Sequence, residues 1–78
     1  MKLTQYFKQD VQLRRPYIRL SWCARAILNP IKRSVQTDGR IQHWVYIEEA
    51  QKYLRVVTLS DGITVHTAFF DRGFKAKL

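Results

Sequence analysis

The chain has 78 residues, 46% hydrophobic and 13% aromatic: enough apolar material for one small core, and too much for a disordered segment. Fourteen Lys and Arg face six Asp and Glu, a formal charge of +8. No apolar run approaches a membrane span or a signal-peptide core, and the lone cysteine, Cys23, excludes an intrachain disulfide. Both features fit a cytoplasmic protein.

The charge is uneven. Residues 1–40 hold nine basic and two acidic side chains, whereas residues 41–78 hold five and four. A net of +7 on one half points to a polyanion or an acidic protein as partner. Arg14, Arg15, Arg19, Arg25, Lys32 and Arg33 supply most of it.

In chain order, Leu3, Tyr6, Phe7 and Val11 recur at helical spacing over residues 3–13, with a strand as the alternative for part of that segment. Arg14-Arg15-Pro16 interrupts the pattern. Ser21 is placed to cap a short helix through Trp22, Cys23, Ala26 and Ile27, which Asn29-Pro30 ends. Cys23 reads there as a small core residue.

The period then changes to two. A first strand runs from Ile31 to Thr37, and Thr37-Asp38-Gly39 signals a hairpin. Arg40 to Ile47 sets Ile41, His43, Val45 and Ile47 on one face and Gln42, Trp44 and Tyr46 on the other. Glu48 to Gln51 is a polar turn, Tyr53 to Leu59 a strongly β-prone run, Ser60-Asp61-Gly62 a second turn, and Ile63 to Phe70 the last strand. The expected fold is α+β and a single domain over 1–78: one or two N-terminal helices within about 3–29, packed on a four-stranded antiparallel meander over about 31–70. A short C-terminal tail is expected to fray after Phe74.

Several chemistries find no motif. Two histidines and one cysteine lack metal-ligand spacing, the three glycines stand singly, and Glu48-Glu49 in a turn point apart. No metal or nucleotide cofactor is expected.

What stands out is a His or Arg inside each apolar run: His43, Arg55 and His66, with Arg33, Arg40 and Arg72 near strand ends. Residues central to adjacent strands lie about 5 Å apart when the register allows. Clustered imidazole and guanidinium groups can cleave RNA without metal, with His66 and His43 as acid or base and Arg55 and Arg72 on the phosphate. Trp44, Tyr46 and Tyr53 can stack on unpaired bases, and Arg33 and Arg40 can hold the RNA backbone. Each residue has a structural alternative. His43 and His66 fit packed, hydrogen-bonded histidines. Arg55 fits an ion pair with Glu48, Glu49 or Asp71, and Arg72 a solvated end.

Three strings, Gln36-Thr37-Asp38-Gly39-Arg40-Ile41, Lys52 to Leu59 (KYLRVVTL) and Thr64 to Arg72 (TVHTAFFDR), resemble a group of small bacterial proteins. Arg15-Pro16, Trp22-Cys23 and Asn29-Pro30 resemble its N-terminal part. That group is similar to the RelE/ParE- and BrnT-like toxins of type II toxin–antitoxin systems. The resemblance implies a RelE-like fold and a metal-independent endoribonuclease that cleaves mRNA, free or ribosome-bound. It also implies an acidic antitoxin as partner. Thr67 departs from the group's pattern, which has asparagine there, and Ala50-Gln51 stands where a glycine is expected nearby. Two other functions fit the same residues: a non-catalytic module that binds nucleic acid or an acidic protein, and a ParE-like topoisomerase inhibitor.

Overall fold

The computed structural model describes residues 1–75; the tail expected to fray lies largely at 76–78, outside the described residues. The expected α+β arrangement is the one observed. A helical segment over residues 5–14 contains a π-helical turn, Phe7–Val11, and ends in the short helix α1, Gln12–Arg14. Helix α2 is Leu20–Leu28. Strands β1 (Lys32–Val35), β2 (Ile41–Ile47), β3 (Lys52–Thr58) and β4 (Val65–Phe70) follow, paired antiparallel in the order β1-β2-β3-β4. Among the described residues no helix is long and apolar enough to cross a membrane.

The first segment does not begin as a helix. Leu3 forms a parallel bridge to Val65, and Lys2 and Thr4 exchange backbone hydrogen bonds with Val65 (2.9 Å each). The strand alternative therefore holds at its start. The Thr4 hydroxyl then accepts the Phe7 N–H at 3.1 Å, an N-cap that turns the chain into the helix. In α2 the chain enters through Arg19 in an extended conformation with no side-chain cap, so Ser21 lies inside the helix and does not cap it. The end at Asn29 agrees with the sequence reading: Pro30 has no N–H to continue the ladder.

Period-two alternation decides which face of the sheet is covered. Val45, Ile47, Leu54, Val56, Val65 and Ala68 pack with Phe7, Val11, Ile18, Trp22, Cys23 and Ala26 into one core. At roughly 1.5–3 kcal/mol for each large side chain, this burial is what holds the helices on the sheet. Cys23 is fully buried, and burial pushes its thiol up to about 12, so it stays protonated and inert.

Both Asp-Gly turns form where the sequence signals them, with Gly39 at φ +90° and Gly62 at φ +72°. The β2–β3 turn reaches the same left-handed region without a glycine: Gln51 has φ +52°. Between β3 and β4 the register slips by one residue, and His66 is the extra residue of that bulge.

Candidate nucleic-acid interface

The strand register lines up the other face of the sheet. Lys32 opposes Trp44, Trp44 opposes Arg55, and Arg55 opposes Phe69, while Tyr46 opposes Tyr53 in the next row. Three rings of this face reach solvent. Tyr46 is 42% exposed; Tyr53 and Phe69 are half-buried. Tyr46 and Tyr53 meet edge-to-face at 5.1 Å, and Tyr53 meets Phe74 the same way at 5.1 Å.

One carboxylate organises this surface. Asp71 Oδ2 accepts the Trp44 indole N–H (3.0 Å) and two Arg55 N–H groups (3.0 and 2.7 Å). Its other oxygen accepts the Gly73 N–H at 3.1 Å, which curls the tail back. Phe74 then stacks on Trp44, centroids 5.1 Å apart and planes 16° apart. Trp44 is buried by this lid although no helix covers it. The indole and Arg55 hydrogen bonds hold the Asp71 carboxyl below its ordinary range. Arg55 lies between two rings, 4.7 Å from the Phe69 centroid and 5.5 Å from Trp44, and Lys32 Nζ lies 5.8 Å from Trp44.

Beside the rings, where β4 ends, Arg15, Lys52 and Arg72 line one groove with Tyr17, Phe69 and Phe70. Arg15 sits 5.9 Å from the Phe69 centroid and Lys52 Nζ 5.2 Å from that of Phe70. Among the described residues the ion pairs are Arg14–Asp10, Arg25–Glu49, Arg40–Asp38 and Arg55–Asp71, so none of the three groove cations is neutralised. Sequence reasoning placed Arg15 only in a general basic half and passed over Lys52 and Tyr17. Arg15 and Arg72 carry a signal, having no acidic residue at i±3 or i±4; Lys52 follows Glu48 and Glu49 and carries none.

The expected cluster of His43, Arg55, His66 and Arg72 on one face does not form. His43 is 1% exposed on the helix-covered face, its Nε2 2.9 Å from the Thr58 hydroxyl and its Nδ1 without a protein partner. Burial, then the Arg33 charge, lowers its pKa. Arg55 is on the opposite face and paired to Asp71, one of the alternatives the sequence offered. His66 sits in the bulge, stacked on Tyr6 at 4.9 Å with Nδ1 3.2 Å from the Thr4 hydroxyl. Arg72 is exposed past the end of β4, six residues on and on the order of 20 Å away along an extended chain. A one-residue bulge is enough to redirect His66, and no feature of the sequence marks it.

Of the expected RNA-binding residues, Trp44, Tyr46 and Tyr53 do come together. Arg33 is apart, its guanidinium reaching the Gly62 turn, and Arg40 stands at the β1–β2 hairpin, 3.9 Å from Asp38. Among the described residues no three His, Cys, Asp or Glu side chains gather in a set that would hold a metal ion.

No protein-family model matches this chain, and neither a curated protein nor a solved structure shows a significant match to it.

Proposed function

We propose that the chain binds single-stranded RNA on its open sheet face without needing to cleave it. The observation that carries this reading is the ring row Tyr46, Tyr53, Phe74 and Phe69, flanked by cations on the one face the helices leave uncovered. Stacking on such rings is tolerant of base identity and contributes about 1–3 kcal/mol per base. Bases of a duplex are already stacked, so the ligand is an unpaired strand. The net charge of +8 supplies long-range attraction to phosphates and a salt-dependent affinity. Titrating the isotope-labelled chain with a short single-stranded RNA, followed by amide shifts, tests this. The expected shifts fall on β2, β3 and the 71–75 tail; shifts confined to α2 and the β1–β2 hairpin would defeat it.

The RNA-cleaving toxin implied by the resemblance is a second reading, favoured by one observation. His66 is half-buried and touches Thr4 and Tyr6, and burial lowers its pKa, so it is neutral at pH 7 and able to take a proton. On that reading an acidic antitoxin covers the basic surface. Growth arrest on induction, with new RNA 5′ ends that vanish in His66→Ala, would establish it; RNA binding with no cleavage product favours the binding module.

A further inference from the structure

The groove of Arg15, Lys52 and Arg72 holds more positive charge than an internal phosphate of a strand can use. A phosphodiester carries one negative charge and two free oxygens. Three cations line this groove, none of them in an ion pair among the described residues, and two are arginines whose planar forks suit phosphate oxygens in pairs. The neighbouring groove is bordered by Asp71, yet that carboxylate is already taken by Arg55, Trp44 and Gly73. It does not compete for the three cations. A phosphomonoester has three free oxygens and about −1.5 to −2 charge at neutral pH, which matches this set.

Placement supports the same ligand. The groove adjoins the ring row: Phe69 and Phe70 line it, Lys52 and Arg72 also border the neighbouring groove with Tyr53 and Phe74, and Tyr17 stacks on Phe70 at 6.0 Å. Lys52 and Arg72, shared by both grooves, give a strand stacked on Tyr53 a route to this one. We propose that Arg15, Lys52 and Arg72 form a seat for the terminal phosphate of a single-stranded RNA. The seat rests on the RNA-binding reading and adds to it a preference for one phosphorylated end. Its ligand chemistry is a phosphomonoester, which can come from either the 5′ or the 3′ terminus.

The test is fluorescence anisotropy of the full chain with one short, internally labelled RNA in three forms: no terminal phosphate, 5′-phosphate and 3′-phosphate. One phosphorylated form is expected to bind at least about tenfold tighter than the unphosphorylated strand, the factor a charged hydrogen bond is worth. Whichever form gains identifies the end. In the double variant Arg15→Gln/Arg72→Gln that gain disappears, with circular dichroism confirming the fold. Equal affinity for the three forms, or a gain that survives in the double variant, overturns the seat and leaves the sheet-face reading standing. If none of the three forms binds, both the seat and the RNA-binding reading fail.

Discussion

Arg55 donates two hydrogen bonds, from Nε and Nη2, to a single oxygen of Asp71, and that oxygen also accepts the Trp44 indole N–H. The pair therefore acts on the site through its geometry. Arg55 is spent as a counter-charge, while its guanidinium plane spaces Trp44 from Phe69. Asp71 also ties down the turn that returns Phe74 over Trp44. Replacing Asp71 by Ala leaves a half-buried guanidinium and an indole N–H without their acceptor. The expected loss is about 2 kcal/mol of stability, with a smaller loss for Asp71→Asn, which keeps an acceptor. Denaturant titration measures the loss, and the emission of Trp44 should shift red as Phe74 lifts off.

The Asp71 carboxyl also sets an acid limit. Its folded pKa lies below the ordinary 3.8, so its contribution is present above that value and is lost as pH falls through the folded pKa. Acid unfolding below about pH 4 should soften in Asp71→Asn relative to the parent. An unchanged acid limb would mean that the carboxylate contributes nothing there.

His43 has a different window. Its folded pKa is pushed below 6.5 by burial, then by Arg33, so the unfolded chain takes up a proton first. The stability it contributes is complete above 6.5 and is lost as pH falls through the lower folded value. Thermal midpoints should drop between pH 7.5 and pH 5.5. A His43→Phe variant, folded or partly destabilised, should show a flatter profile over that range. Because His43 is buried away from the open face, the same variant should keep its RNA affinity.

Gln51 occupies a left-handed conformation that glycine adopts without steric cost. Gln51→Gly should raise stability by on the order of 0.5 kcal/mol, the relief of strain less the added freedom of the unfolded chain. Gln51→Ala, which keeps the Cβ, should bring no such gain in the same chemical denaturation series.

These sites show what the sequence made legible. The Asp-Gly turns, the period-two runs and Asn29-Pro30 name the strands, their order and the end of α2, because each rests on local backbone physics. The left-handed backbone at Gln51 has no such local signal, since the turn carries no glycine. That Trp44 and Tyr46 share one face follows from alternation; Tyr53 joins them through the β2–β3 register. The site otherwise depends on register and on contacts distant in sequence. A bulge moves His66 off the expected face, His43 finds its partner Thr58 on the next strand, and Arg55 is claimed by Asp71 sixteen positions later. The Leu3 bridge and the returning tail are tertiary as well: nothing local in the sequence tells that Asp71 turns the chain and lays Phe74 on Trp44. The groove of Arg15, Lys52 and Arg72 joins three segments that share no motif.

The open-face claim is tested most directly by measuring the affinity of a short unstructured RNA for the parent chain and for Tyr46→Ala/Tyr53→Ala, across a salt series. The expected result is measurable binding by the parent that weakens linearly in log–log form with salt. The double variant should bind about 10-fold to 100-fold more weakly, as lost stacking requires, with the same salt slope because no cation was removed. Equal affinity of parent and variant would contradict the account, since binding would then be charge attraction alone and the ring row would have no part in it.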